Sequence, residues 1–205
     1  MTTEEAPEAR ERILEAACEL IATDGIDEVR IARVAMRAGA STALVHHYFS
    51  TREELLEQAL VHSFEQAGDE RFAAAPEARS ASERLARALG ECLPLPGSQE
   101  RDWVLWVELW LRAVRDPRLR PVAARLYRRY REWMEGVIGA GVASGEFDRR
   151  VDVARAADRA MALLDGAGVR ALFGDPEMDF ERAHELVAET LAAELGIDAA
   201  ELGLG

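Results

Sequence analysis

Lysine is missing altogether: all 25 basic residues are arginine. Arginine codons are GC-rich, so this absence reads as coding bias and excludes nothing. Cysteine is nearly absent, and Cys18 and Cys92 are too few for a disulfide framework. Both lie in apolar helical pattern and read as small hydrophobes in a reducing compartment. With 7 prolines and 15 glycines in 205 residues, the chain is neither fibrous nor disordered by composition. No apolar run approaches the ~18 residues of a membrane span. The opening MTTEEAPEARER is acidic and has no apolar core, so it is not read as a signal peptide. Period-two alternation and internal repeats are missing as well. So are a Ser-His-Asp constellation, a Walker loop and a Cys-x-x-Cys pair, and nothing suggests catalysis or a cofactor. The expectation is a cytoplasmic protein that is not an enzyme.

Acid, by contrast, is plentiful. The net charge of −13 argues by itself against a nucleic-acid partner. The placement of the charges points the other way. From Val29 to Arg52 there is no Asp or Glu, while Arg30, Arg33, Arg37 and Arg52 supply four positive charges. His46 and His47 add donors. Four arginines in isolation read as a solvated face. Here they coincide with a motif, and an acidic body carrying one acid-free basic face suits a DNA-binding head on a larger sensor.

The motif is IARVAMRAGASTALVHHYFSTREE, Ile31 to Glu54. Val34, Ala35 and Ala38 stripe a first helix. Gly39 stands where a C-terminal cap needs a positive φ. Ser41 can cap the next helix through its hydroxyl. Val45 and Phe49, four apart, share the inward face. Thr42, Ala43, Leu44, His46 and His47 occupy the others. Two helices across a short Gly-containing turn form a helix-turn-helix, whose second helix enters the major groove. Thr42 and His47 can donate to base edges, and Ala43 and Leu44 can meet a thymine methyl. Arg30 and Arg52 flank the helix at a spacing suited to phosphates.

The run A-G-A-S-T-A-L-V-H-H-Y-F-S-T-R-E-E-L resembles the signature of the tetracycline-repressor (TetR) family of bacterial regulators, gap-free over roughly residues 10 to 60. The resemblance implies DNA contacts from Arg30, Arg33, Ser41, Thr42, Ala43, Leu44, His46, His47, Tyr48 and Arg52. The chain departs from the family pattern in four places. Ala40 replaces Val, His46 replaces a phosphate-touching Tyr, Arg52 replaces Lys, and Arg30 replaces a helix-opening Thr. The His and Arg changes retain a donor.

Elsewhere helical spacing predicts an all-α chain of about nine helices. Three form the head, residues 8–54, and six the body, 55–197, for which the resemblance implies ligand binding and dimerisation. Residues 1 to 8 read as frayed, with Pro7 in the first turn. Ser50-x-x-Glu53 reads as a capping box opening a long helix to about Phe72, and Pro76 ends that pattern. PLPG at 94–97 ends a short helix from Ser80. Asp116-Pro117 reads as cap plus first helical residue of the next long helix. Asp152 and Asp179 cap the last two, and the tail reads as loose. The body resembles betaine-regulator-like (BetI-like) members of the family in W-x-x-W-x-x-x-W, D-P-x-L-R, SGEF and L-L-D-G.

Trp103, Trp106 and Trp110 fall within about 60° of arc on one helix. Such a stripe is core first. A second reading is a pocket lined by these tryptophans and Glu108 for a cationic or amphipathic ligand, although Glu108 is placed to pair with Arg112. Glu181-x-x-His184 has the spacing that feeds a di-iron bundle. No second copy exists, so no metal is expected and the pair reads as surface residues. Gly166 and Gly168 each cost about 1 kcal/mol inside a helix relative to alanine. Close approach of another helix would compensate, and the resemblance implies a homodimer through the last two long helices. The reading is a ligand-responsive regulator of double-stranded operator DNA, foremost a repressor. An activator with the same head is the alternative. A helical-bundle enzyme or metal carrier is the rival from another class.

Overall fold

The computed structural model describes residues 5–73, 80–95 and 97–203. Among them lie nine α-helices and no strand: α1 Glu5–Asp24, α2 Ile31–Arg37, α3 Thr42–Tyr48, α4 Arg52–Ala73, α5 Ala81–Glu91, α6 Ser98–Arg115, α7 Arg120–Ser144, α8 Val153–Leu172 and α9 Phe180–Leu195. Short 3-10 turns at Ile26–Glu28 and Ala199–Leu202 complete them. No helix among the described residues is long and apolar enough to cross a membrane. The all-α expectation holds. The chain forms two compact units, Met1–Ala67 with Val104–Ala123, and Gly68–Trp103 with Ala124–Gly205. The first unit contains the residues read as the head, 8–54, together with part of the residues read as body.

In the first unit Ile13, Leu14, Ala17 and Ile21 of α1 are buried, as are Leu55, Leu56, Ala59 and Leu60 of α4. Each large aliphatic side chain so buried contributes about 1.5–3 kcal/mol. Polar ties fix the register of these two helices. Arg10 donates to Gln58 at 2.6 Å, and the Cys18 thiol to the Ala59 carbonyl at 3.2 Å. The Arg10 guanidinium also lies 5.8 Å from the centre of the Phe49 ring. Trp106 packs on Phe64 with ring centroids 4.7 Å apart.

In the second unit two aromatic rings occupy space that glycines leave open. A Cβ at Gly141 would stand 2.2 Å from the Phe147 ring, and one at Gly168 would stand 2.3 Å from Trp103. Asp152 and Asp179 cap α8 and α9 as expected, accepting from Arg155 N and Arg182 N. From the end of α9 to Gly203 the chain is packed rather than loose. Asp198 and Glu201 form a capping box on the last 3-10 turn, Leu202 is fully buried, and the turn packs on α5 and α9.

Other local expectations shift. Thr51, not Ser50, caps α4: its hydroxyl accepts from Glu54 N at 3.0 Å, and the Glu54 carboxylate takes Ser50 N–H at 2.8 Å. The hydroxyl cap falls one residue later than in Ser50-x-x-Glu53, and the carboxylate bonds the residue before the cap rather than the cap itself. Asp116-Pro117 does not open α7 directly. Asp116 accepts from the backbone and guanidinium of Arg118, holding a turn, and the helix begins at Arg120. The first helix already exists at Glu5, within the stretch expected to fray. Residues 1–4, the break at Pro76 and Pro96 of PLPG lie outside the described residues.

Candidate nucleic-acid interface

Helix α2 ends where glycine lets it. Gly39 has φ +62°. Ala40 N–H reaches Ala35 O at 2.8 Å and Gly39 N–H reaches Met36 O at 3.3 Å, the paired bonds of a Schellman stop. Two residues on, the Ser41 hydroxyl accepts from Leu44 N at 3.1 Å and starts α3. Val45 and Phe49 are fully buried and fix which side of α3 faces in. At ~100° per residue the opposite side is then Ala43 and His47. Ser41, Thr42, Ala43, His46 and His47 are exposed, while Leu44 and Tyr48 are half-buried. The His47 and Tyr48 rings meet edge-on at 5.1 Å.

The arginines around this helix are not equivalent. Arg30 is exposed and bonds locally to Asp27 O and Val29 O. Arg33 pairs with Asp24 and Arg37 with Glu19 at 2.6 Å, all four substantially exposed. The stretch is acid-free in sequence, but the fold brings α1 carboxylates onto two of its arginines. Exposed pairs of this kind contribute ~0–1 kcal/mol, so another anion displaces them at little cost. Arg52 is different. Its guanidinium donates to three carbonyls, Val29 O and Ile26 O at 2.6 Å and Asp27 O at 3.2 Å. Its side chain is only 26% exposed. It clasps the first turn of α4 to the segment that leads into α2. Met36, an apolar residue of α2 left 77% exposed, is a further member of this surface. Sequence reasoning missed it because its helical position matches no apolar stripe.

The candidate ligand residues Trp103, Trp106, Glu108 and Trp110 all lie on α6. Trp103, in the second unit, is buried against Gly168. Trp106 and Trp110 belong to the first, the former buried against Phe64 and the latter half-buried. Glu108 pairs with Arg112 at 3.0 Å and lines a cleft of about 270 Å³ that also carries Asp27, Glu57 and Arg115. Of the two glycines expected at a dimer face, Gly168 is corrected: it faces Trp103 inside its own unit. Gly166, two residues away and so on another side of α8, has open space beside it.

Two carboxylates beyond the motif stand out. Asp102, on α6 with Glu108, is 7% exposed, and no sequence signal singled it out. Asp165, the acid of the L-L-D-G stretch, accepts from the Tyr127 hydroxyl at 2.7 Å, and burial pushes its carboxyl up to about 6. His184 is not at the surface. It is 2% exposed and bonded to Ala86 O, and burial lowers its pKa, while Glu181 three residues earlier is exposed. The E-x-x-H spacing therefore joins two different environments. No group of three His, Cys, Asp or Glu suited to a metal ion occurs among the described residues.

Two family models match the chain, and the second spans parts of both compact units. Residues 13–59 match the family model described as bacterial regulatory proteins, tetR family, and residues 81–196 match that of the BetI-type transcriptional repressor, C-terminal. The HTH-type transcriptional regulator BetI of Brucella canis is 26% identical over 189 residues, 92% of each chain. BetI of Escherichia coli is 27% identical over 198 residues, covering 92% of this chain and 95% of its own. A solved protein from Saccharomonospora viridis, described as a transcriptional regulator in complex with choline, superposes with a TM-score of 0.80. It is 31% identical and is matched over 90% of this chain and 96% of its own.

Proposed function

This chain belongs to the TetR family of bacterial regulatory proteins, with a BetI-type C-terminal domain, and from that premise we propose that it is a cytoplasmic, dimeric repressor released from its operator by a small quaternary-ammonium compound. The observation that carries the DNA reading is α3. Two buried side chains fix its inward face and leave Thr42, Ala43, His46 and His47 outside, on a helix the size of a major-groove reader. Thr42 and His47 read base edges, Ala43 and Leu44 touch methyl groups, and Ser41, His46 and Tyr48 stand toward the backbone. Arg30, Arg33 and Arg37 supply charge to phosphates. Arg52 serves mainly by holding the helix-turn-helix against α4.

The dimer reading rests on α8. Ala162, Gly166 and Phe173 are exposed at spacings of four and seven, an apolar line along one side of the helix. A partner's helices cover it, with Gly166 allowing close approach. The effector class is supported by the choline held in the Saccharomonospora viridis relative. Release requires that the ligand bind better to the arrangement that misfits the operator, because equal affinity for both shifts nothing.

Selection from a random DNA pool tests the reading. The expected product is a two-fold motif with half-sites about 34–36 Å apart or a multiple of that. Thr42→Ala and His47→Ala should each relax preference at particular positions, by about 1–3 kcal/mol per lost base contact. A pool that returns no enriched motif for the wild type would remove specific DNA binding.

A further inference from the structure

Asp165 lies on α8 with its carboxylate partly buried, accepting the Tyr127 hydroxyl of α7 at 2.7 Å. Among the described residues no arginine or histidine pairs with it, in a chain of 25 arginines. Asp116 and Asp148 are its opposites. Each of those accepts an Arg guanidinium, and each is lowered to about 2. Asp165 is raised to about 6 because burial outweighs the single hydrogen bond. An ionised carboxylate taken from water without a positive partner costs stability that an asparagine or leucine of similar size would not.

The same side of α8 carries more. Gly168, three residues on, shares Asp165's face. It gives up its own Cβ so that the Trp103 ring can lie against the backbone. One face of α8 thus offers a carboxylate already hydrogen-bonded by a phenol, with an indole one turn along. What the carboxylate lacks is positive charge, not a donor. A quaternary ammonium brings charge without N–H groups, and its methyls suit aromatic faces.

We propose that Asp165, held in place by Tyr127 and adjoining Trp103, is the anionic anchor for the quaternary ammonium group of the effector. The proposal rests on the effector class inferred above and assigns the charge recognition to these residues rather than to Glu108, whose carboxylate is occupied by Arg112. Tyr127 acts as a positioning residue, fixing the carboxylate without touching the cation.

The test uses the full-length protein and three probes: choline, tetramethylammonium, and 3,3-dimethylbutan-1-ol, the uncharged isostere of choline. Calorimetric affinities are measured for the wild type, Asp165→Asn and Tyr127→Phe. The wild type should prefer choline to the isostere by about tenfold or more. Asp165→Asn should bring that ratio to about one while leaving affinity for the isostere unchanged. Tyr127→Phe should weaken choline severalfold at unchanged isostere affinity, and it carries the test alone if Asp165→Asn does not fold. A folded Asp165→Asn, or failing that Tyr127→Phe, that keeps the wild-type choline preference overturns the anchor and leaves the effector class standing. A wild type that binds neither choline nor tetramethylammonium overturns both.

Discussion

Arg33 and Arg37 of the first unit stand in water with acids of α1 in contact. Asp165 of the second stands largely out of water with a phenol for company. The arginines can exchange one anion for another at almost no cost, which suits a surface that must bind and release a polyanion whole. The carboxylate, while ionised, has a standing deficit that a cation would offset. On the proposed reading, two kinds of recognition would rest on two kinds of electrostatics: screened and interchangeable at α2, desolvated and selective at α8.

The firmest way to sharpen that contrast is to disturb the frame behind Asp165. Gly168→Ala places a methyl 2.3 Å from the Trp103 ring, and the ring must shift. The expected loss is about 2–3 kcal/mol in urea unfolding. Gly166→Ala, with nothing beside it, should change stability by less than about 1 kcal/mol, and in the favourable direction within the chain. Equal effects at the two positions would mean that α8 is rotated from the orientation described.

Arg52 is the arginine that could break the comparison from the other side. A lysine keeps the charge but cannot reach the carbonyls of Ile26, Asp27 and Val29 together. Arg52→Lys should lower stability by about 1–2 kcal/mol and weaken DNA binding with it. Unchanged melting together with full DNA affinity would return Arg52 to the phosphate contacts.

Asp165→Asn should stabilise the ligand-free protein at pH 8 by about 1–2 kcal/mol, after allowance for its partial exposure. The folded pKa of about 6 lies above the ordinary 3.8. The carboxylate therefore penalises the fold fully above pH 6, and the penalty fades as pH falls through 6 toward 4. The variant's advantage should fade over the same interval. An advantage independent of pH would separate it from the charge. The smallest effect belongs to Arg37→Ala. Stability should move by less than about 1 kcal/mol, while the log-log salt slope of DNA binding falls by about one unit. An unaltered slope would place Arg37 outside the phosphate contacts.

The sequence was most informative where structure is local. Gly39, Ser41, Asp152 and Asp179 act as read because a cap is decided by the few residues around it. It was weaker by a single residue at Thr51, where two hydroxyls in a row offer the same chemistry and geometry chooses. Long-range partners were invisible. Nothing near Arg37 announces Glu19, and nothing near Gly168 announces Trp103. His184 reads as a surface residue because its E-x-x-H has no second copy, yet the α9 face that buries Ala183, Val187 and Ala188 takes it inside. Helix α3 could be read because its caps and its inward face are set within about ten residues. The second unit's charged centre could not, since Asp165 and Tyr127 are joined only by the meeting of α7 and α8.

The capping-boxed turn that seats Leu202 beside α5 has a consequence in time. Helix α5 is made early, and the segment that covers part of it comes roughly a hundred residues later. At about 5–20 residues per second of synthesis, the seat waits several seconds for its occupant. The contact then forms across a long intervening loop and ranks among the slower closures of the chain. During that interval the part of α5 that this turn covers in the finished fold stays open to whatever else the cell holds. Chaperone dependence during production should thus trace to this late-closing seat rather than to the helix-turn-helix, whose packing on α1 is made within the first quarter of the chain.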